Sequence, residues 1–126
     1  MRIILYEIYD ALEHLGYTPS WNESERGMSF NFNMELAVCS IEEDSMVVTF
    51  MVPCIYKIEY KNFDDLIRKV NSRNHIGRLV NLDGSAVSAV SSFYVFDRKS
   101  VDSQVFFAIA DLNRLMGDFF MLLREA

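Results

Sequence analysis

The residue types that most often carry catalysis or bind metals are few in this chain and lie far apart. The two histidines, His14 and His75, fall on different predicted helices. A metal site needs several histidine, cysteine or carboxylate side chains that converge, so we expect none. The two cysteines, Cys39 and Cys54, have no basic neighbour that would lower a thiol pKa. We therefore expect both to pack as small apolar side chains.

The remaining reactive side chains have structural explanations. The acidic runs Glu42–Asp44 and Asp64–Asp65 suit a polar turn and the first turn of a helix. Ser85 is accounted for by a predicted turn and strand, and the five glycines are isolated, so they form no phosphate-binding loop. We expect no catalytic residues and no cofactor, and thus a protein that is not an enzyme.

Composition and charge narrow the class of protein further. The 126 residues, of which 51% are hydrophobic, suit one domain over residues 1–126 with a single core. A net charge of −6 disfavours nucleic acid and anionic membranes as partners. The longest uncharged runs are shorter than the roughly 20 residues of a membrane span. Acidic residues close to the N-terminus interrupt any signal-peptide core, so we expect a cytoplasmic protein.

The hydrophobic pattern of the first half predicts one helix and three strands. A helical stripe runs from Arg2 to Leu15, and Gly16 ends it. Thr18–Gly27 is polar apart from Trp21 and is predicted to be a loop. The strands are expected at residues 28–33, where apolar and polar residues alternate, and at residues 36–41 and 46–54. With a turn near Glu42–Ser45, Cys39 would lie opposite roughly Val48, so no disulfide with Cys54 is expected.

The second half predicts a helix, two strands and a long final helix. Asn62 can cap a helix from Phe63 to about His75. Strands follow at residues 77–82 and 85–96, joined by the hairpin turn Asp83-Gly84. Ser100 or Asp102 then caps a helix that reaches about Arg124. The predicted fold class is α+β, with an antiparallel sheet of about five strands, helices mainly on one side, and the order α-β-β-β-α-β-β-α.

The final helix carries more apolar residues than burial of one face requires. One heptad-like seam comprises Val105, Ile109, Leu112, Met116, Phe119 and Leu123, and a second set comprises Phe106, Leu115, Phe120 and Leu122. Either the helix is buried on two sides, or one side forms a dimer or partner surface. Trp21, in its polar loop, either folds onto the core or forms a binding hot spot. The candidate interface residues are Trp21, Leu115, Phe120 and Leu122.

Several segments resemble the YbjN-type family of bacterial sensory transduction regulators, within the type III secretion chaperone-like fold. They are ALEHLGY, SFNF, MVVTFMVP, LIRKVNSRN, LVNLDG and the closing hydrophobic helix, spread over residues 8–123. The most specific piece is residues 70–74, followed nine residues later by Asp83-Gly84. Asn71 and Asn74 have a physical explanation of their own: their side chains can bond to backbone groups at the helix end or on the entering strand.

The resemblance implies a partner-binding domain without enzymatic activity, usually a dimer. The leading hypothesis is therefore a regulatory or chaperone-like protein-binding domain that acts as a homodimer and captures a protein on an exposed apolar surface. Strand addition at a sheet edge is one way to do so. The alternative is a small-molecule sensor whose pocket lies between sheet and helices. Its lining would be Phe30, Phe32, Phe50 and Phe93.

Overall fold

The computed structural model describes residues 2–23, 26–42, 44–55, 63–73, 76–81 and 86–125. The helices are α1 (Arg2–His14), α2 (Phe63–Asn71) and α3 (Val101–Glu125), and a short 3₁₀ turn at Arg98–Ser100 precedes α3. The strands are β1 (Ser20–Trp21), β2 (Gly27–Phe32), β3 (Glu35–Glu42), β4 (Val47–Ile55), β5 (Arg78–Asn81) and β6 (Ala86–Tyr94).

The strands form one antiparallel sheet in the order β1-β2-β3-β4-β6-β5. The predicted α+β class is confirmed, but the sheet has six strands instead of about five. The additional strand lies within the expected loop, where Ser20 pairs with Ser29 and Trp21 pairs with Met28. A strand of two residues is too short to produce an alternating pattern, which explains why the sequence did not predict it.

The helices cover one face of the sheet. Alternate residues of β2, such as Phe30 and Phe32, point to this inner face and are almost completely buried. They share one hydrophobic core with Ile8 of α1 and Val105 of α3. The opposite, outer face exposes apolar side chains, among which Val38 pairs across the strands with Met51.

Two helices end earlier than predicted. Helix α1 ends at His14, one residue before Leu15, and Gly16 adopts a φ of 96° just beyond it. Helix α2 ends at Asn71, four residues before the expected end at His75. Asp97 caps the 3₁₀ turn Arg98–Ser100, since its carboxylate accepts a hydrogen bond from the Lys99 N–H, and α3 begins at Val101, directly after Ser100. Asn62, Asn74, His75 and the turn Asp83-Gly84 lie outside the described residues.

Strand register also differs from the prediction. Cys39 lies opposite Phe50, whereas Val48 lies opposite Ile41. The hairpin turn accounts for the shift, because Met46 adopts a φ of 56° and its N–H donates to the Glu42 carbonyl. Cys39 is a free, buried thiol, and burial raises its pKa to about 12.

Helix α3 packs on β6 of the sheet and contacts both α1 and α2. The buried residues of the helix, which include Leu115 and Phe119, form one broad face. Phe106, Phe107 and Met121 remain exposed on it. Within the ranges that the structure describes, no helix has the length and apolar character to cross a membrane.

Candidate functional site

The residues with the greatest chemical reactivity do not converge. Among the described residues, no group of three or more histidine, cysteine or carboxylate side chains could hold a metal ion. His14 is exposed at the end of α1, and Cys39 is buried in the core. At the start of α2, Asp64 accepts a hydrogen bond from Asn81, and Asp65 pairs with Arg68 at 3.4 Å. These carboxylates have structural partners.

The predicted interface residues are not equally accessible. Trp21 is half-buried, with its ring stacked on Tyr9 at 5.2 Å between centroids and edge-on to Tyr6 at 5.1 Å. Phe120 and Leu122 are partly buried against the core. Leu115 is completely buried, which leaves it no surface to offer a partner in the folded chain.

The four phenylalanines of the predicted pocket separate into two groups. Phe30, Phe32 and Phe50 are buried and pack edge-to-face, with Phe30 at 6.4 Å from Phe32 and 6.1 Å from Phe50. They fill the core. Phe93 stacks on Phe50 at 6.2 Å but is half-exposed, and its other side lines a cleft at the edge of the sheet.

That cleft lies where β6 extends beyond its neighbour. Strand β5 pairs with β6 only from Val87 to Val90, whereas β4 pairs with β6 as far as Tyr94. In the described part of the chain, residues 91–94 of β6 therefore have no strand partner on the β5 side. This stretch, which we call the open edge, is a sheet edge of the kind that accepts another strand.

One hydrogen bond shows in which direction the N–H and C=O groups of the open edge point. The Val95 N–H donates to the Met46 carbonyl, next to β4. Backbone groups of an extended strand alternate in direction, so those of Ser92 and Tyr94 point away from β4. The Tyr94 carbonyl accepts a hydrogen bond from Gln104 Nε2 at 2.8 Å, as this direction requires. The N–H and C=O groups of Ser92 thus face the cleft side.

The cleft is mainly apolar and has a volume of about 200 Å³. Its walls come from β6, from α3 and from the residue that leads into β5. Ile76 and Phe107 are its most exposed apolar members, at 78% and 61% exposure. The lining residues are Ile76, Ser91, Ser92, Phe93, Gln104, Phe107 and Ala108.

A polar atom adjoins this apolar wall. Gln104 Oε1 is buried and has no donor among the residues that the structure describes. A buried acceptor without a donor costs about 1–3 kcal/mol, which makes this amide an unusual feature of the cleft.

A buried carboxylate contacts two residues of the cleft, Ile76 and Ser91. Asp111 is 4% exposed, and its oxygens accept the Ile76 N–H at 3.1 Å and the Gly77 N–H at 2.6 Å. The Ser91 hydroxyl lies 3.3 Å from the same carboxylate. This anion anchors the segment that enters β5.

Sequence reasoning missed the residues of this site. Ile76, Gln104, Phe107 and Asp111 were not predicted to lie together. One signal was available, because Asp111 falls between apolar residues on the buried side of α3, and a charged residue there needs a partner.

The expectation for Asn71 is confirmed. Its side-chain amide donates to the Leu79 carbonyl at 3.0 Å, and its oxygen accepts the Leu79 N–H at 2.7 Å. The side chain therefore occupies the outer edge of β5 much as another strand would. The edge of β5 is blocked at Leu79, in contrast to the open edge of β6.

Comparison with known proteins found no matching family model and no curated protein with significant similarity. The likeness to the YbjN-type family therefore depends on the quoted segments of the sequence.

Proposed function

We propose that this chain is a protein-binding domain without enzymatic activity, which holds an extended segment of another polypeptide along the open edge of β6. The observation that carries the proposal is the end of β5 pairing at Val90 beside an apolar cleft. A strand edge supplies affinity through its main-chain groups, and a pocket next to it supplies preference for a side chain.

The two faces of the edge suit the alternating side chains of a strand. On the inner side, the cleft with Phe107 would receive one side chain of the bound segment. On the outer side, Tyr94 and Phe96 are 58% and 71% exposed and could contact the next side chain. A bound segment with apolar residues on both faces would cover aromatic surface that is now in water.

The size of the cleft favours a side chain over a complete small ligand. Pockets for small molecules commonly measure about 300–1,000 Å³, and this cleft has about 200 Å³. The alternative, a small-molecule sensor, also loses its predicted lining, since Phe30, Phe32 and Phe50 are packed in the core. Specific thermal stabilisation by one metabolite would be the result that revives it.

The proposal is tested with a permanently unfolded polypeptide, reduced and carboxymethylated lactalbumin, titrated into the isotope-labelled chain. We expect amide shifts concentrated at Ser92, Tyr94 and the cleft residues. Phe107→Asp should weaken binding at least tenfold, because it places a charge in the apolar cleft.

A neighbouring residue provides the matched control. Phe106 is 52% exposed and contacts the Phe107 ring at 5.6 Å, but it does not line the cleft. Phe106→Asp adds the same charge one residue away and should leave binding within about twofold. Equal losses in both variants, or shifts spread over the surface, would contradict the proposed site.

We also propose that the domain acts as a homodimer, with the outer face of the sheet as the contact. An apolar row on that face supports the proposal: Val38 pairs with Met51, which pairs with Val90. Light scattering over a tenfold concentration range should give twice the mass of the chain, and Met51→Glu should halve it. A monomer at every concentration would exclude the dimer.

A further inference from the structure

We infer that Asp111 is a positioning residue that keeps the edge of β6 open, because its carboxylate accepts the Ile76 N–H, which would otherwise bond to that strand. The inference deepens the proposed function and rests on it for its biological meaning. Its structural content can be tested without any partner.

The alternation of backbone directions in β5 identifies the diverted group. Leu79 exchanges its N–H and C=O hydrogen bonds with Asn71, so these groups point away from β6. Arg78 and Val80, its neighbours, therefore point toward β6, where they pair with Val90 and Ser88. Two residues before Arg78, the backbone of Ile76 would point toward β6 as well if the strand continued.

The register shows where that bond would form. Arg78 lies opposite Val90, so an extended β5 would place Gly77 opposite Ser91 and Ile76 opposite Ser92. The Ile76 N–H donates instead to Asp111 Oδ1. The same carboxylate holds Gly77, where an added Cβ would lie 2.8 Å from Asp111 Oδ2. Asp111 Oδ1 thus supplies the Ile76 N–H with the acceptor that the Ser92 carbonyl would otherwise supply.

The hydrogen bond between the Ile76 N–H and Asp111 lies next to the backbone of the open edge, where it can control access to that backbone. Ser92 and Ile76 both line the cleft, so pairing between them would cover the backbone of the open edge from within the chain. The segment that enters β5 would then occupy the place of a bound strand. In this arrangement the carboxylate prevents the chain from filling its own binding edge.

The test is amide hydrogen exchange in Asp111→Leu, which removes both acceptors and keeps a side chain of similar size. We expect exchange of the Ser92 N–H to slow at least tenfold relative to the unmodified chain, because it would donate to the Ile76 carbonyl as β5 extends along β6. Asp111→Asn retains one acceptor and should give a smaller slowing, and it serves as the second variant should the leucine variant fail to fold.

If Asp111 only stabilised the fold, its loss would change the amide exchange rates in the opposite direction. Loss of an anchor that only stabilises the fold would accelerate exchange at Ile76 and leave Ser92 as fast as before or faster. Ile109→Ala, a buried change on the same helix, is the control for general destabilisation and should slow no amide of the open edge. Unchanged or faster exchange of the Ser92 N–H in the Asp111 variants would overturn the inference.

Binding of the unfolded lactalbumin probe separates this inference from the proposed function. Slower exchange with at least tenfold weaker binding supports both. Slower exchange with unchanged binding supports the positioning role and contradicts the open edge as the binding site. Unchanged exchange removes the positioning role, and the Phe107→Asp result then decides the proposed site by itself.

Discussion

The strands at both edges of the sheet are short, but the two edges differ in how far they are covered. At the first edge, β1 has two residues and follows the buried Pro19, which has no N–H to offer another strand. The indole of Trp21 packs on Tyr9 beside it. At the second edge, β5 has four residues and leaves part of β6 uncovered next to the exposed Ile76.

The difference separates a protected edge from an available one. Proteins commonly shield strand edges with prolines, charges or covering elements, because an unpaired apolar edge invites aggregation. The first edge has such protection. The open edge of β6 instead combines unpaired backbone with the apolar cleft at Phe107. The unpaired strand end and the cleft beside it together support the proposed strand capture more than any single residue does.

The largest stability effects should come from one glycine beside each edge. A Cβ at Gly27 would lie 2.5 Å from the Cys39 carbonyl oxygen of β3, and one at Gly77 would collide with the Val90 carbonyl oxygen of β6. Both obstacles are backbone atoms. We expect Gly27→Ala and Gly77→Ala each to lower the free energy of unfolding by about 2–3 kcal/mol, measured by urea denaturation.

The two glycine variants should differ in binding even though they resemble each other in stability. Gly77→Ala displaces the segment that carries Ile76 and should weaken binding of the unfolded polypeptide, whereas Gly27→Ala should not. Gly117→Ala is the control, since this helical position has open space and should gain about 0.5–1 kcal/mol. Equal binding by all three variants would mean that the edges do not differ in function.

The sequence predicted those strands and helices that have a local hydrophobic pattern. Alternation at residues 28–33 identified a buried strand, and the apolar stripes located all three helices. The end of α2 was placed four residues too late, because Asn71 ends the helix through bonds to Leu79 that depend on the tertiary fold. Strand β1 was missed because two residues carry no period.

The open edge itself could not be predicted from the local sequence pattern. It results from the end of β5 pairing at Val90, next to the point where Asp111 accepts the Gly77 N–H across 34 residues of sequence. Long-range contacts of this kind have no periodic signature. A buried charge on an apolar helix face was the one visible sign, and it indicates that a partner exists without identifying it.

Removing the Asn71 side chain that covers the edge of β5 should have a smaller effect on the free energy of unfolding. Asn71→Ala takes away both the donor and the acceptor that bond to Leu79, and this should cost about 1 kcal/mol, because water can reach part of the site and replace them. Amide exchange at Leu79 should accelerate, while exchange at Ser92 should stay the same. Ser72→Ala is the control, since the Ser72 hydroxyl donates to the Lys69 carbonyl of α2 and not to β5.

This variant makes the edge of β5 resemble the open edge of β6 in its backbone but not in its surroundings. If unpaired backbone were sufficient for binding, Asn71→Ala would bind more of the unfolded polypeptide than the unmodified chain. We expect no gain, because the cleft that would hold a side chain of the bound segment lies beside β6. A clear gain would shift the explanation of binding from the cleft to the exposed strand alone.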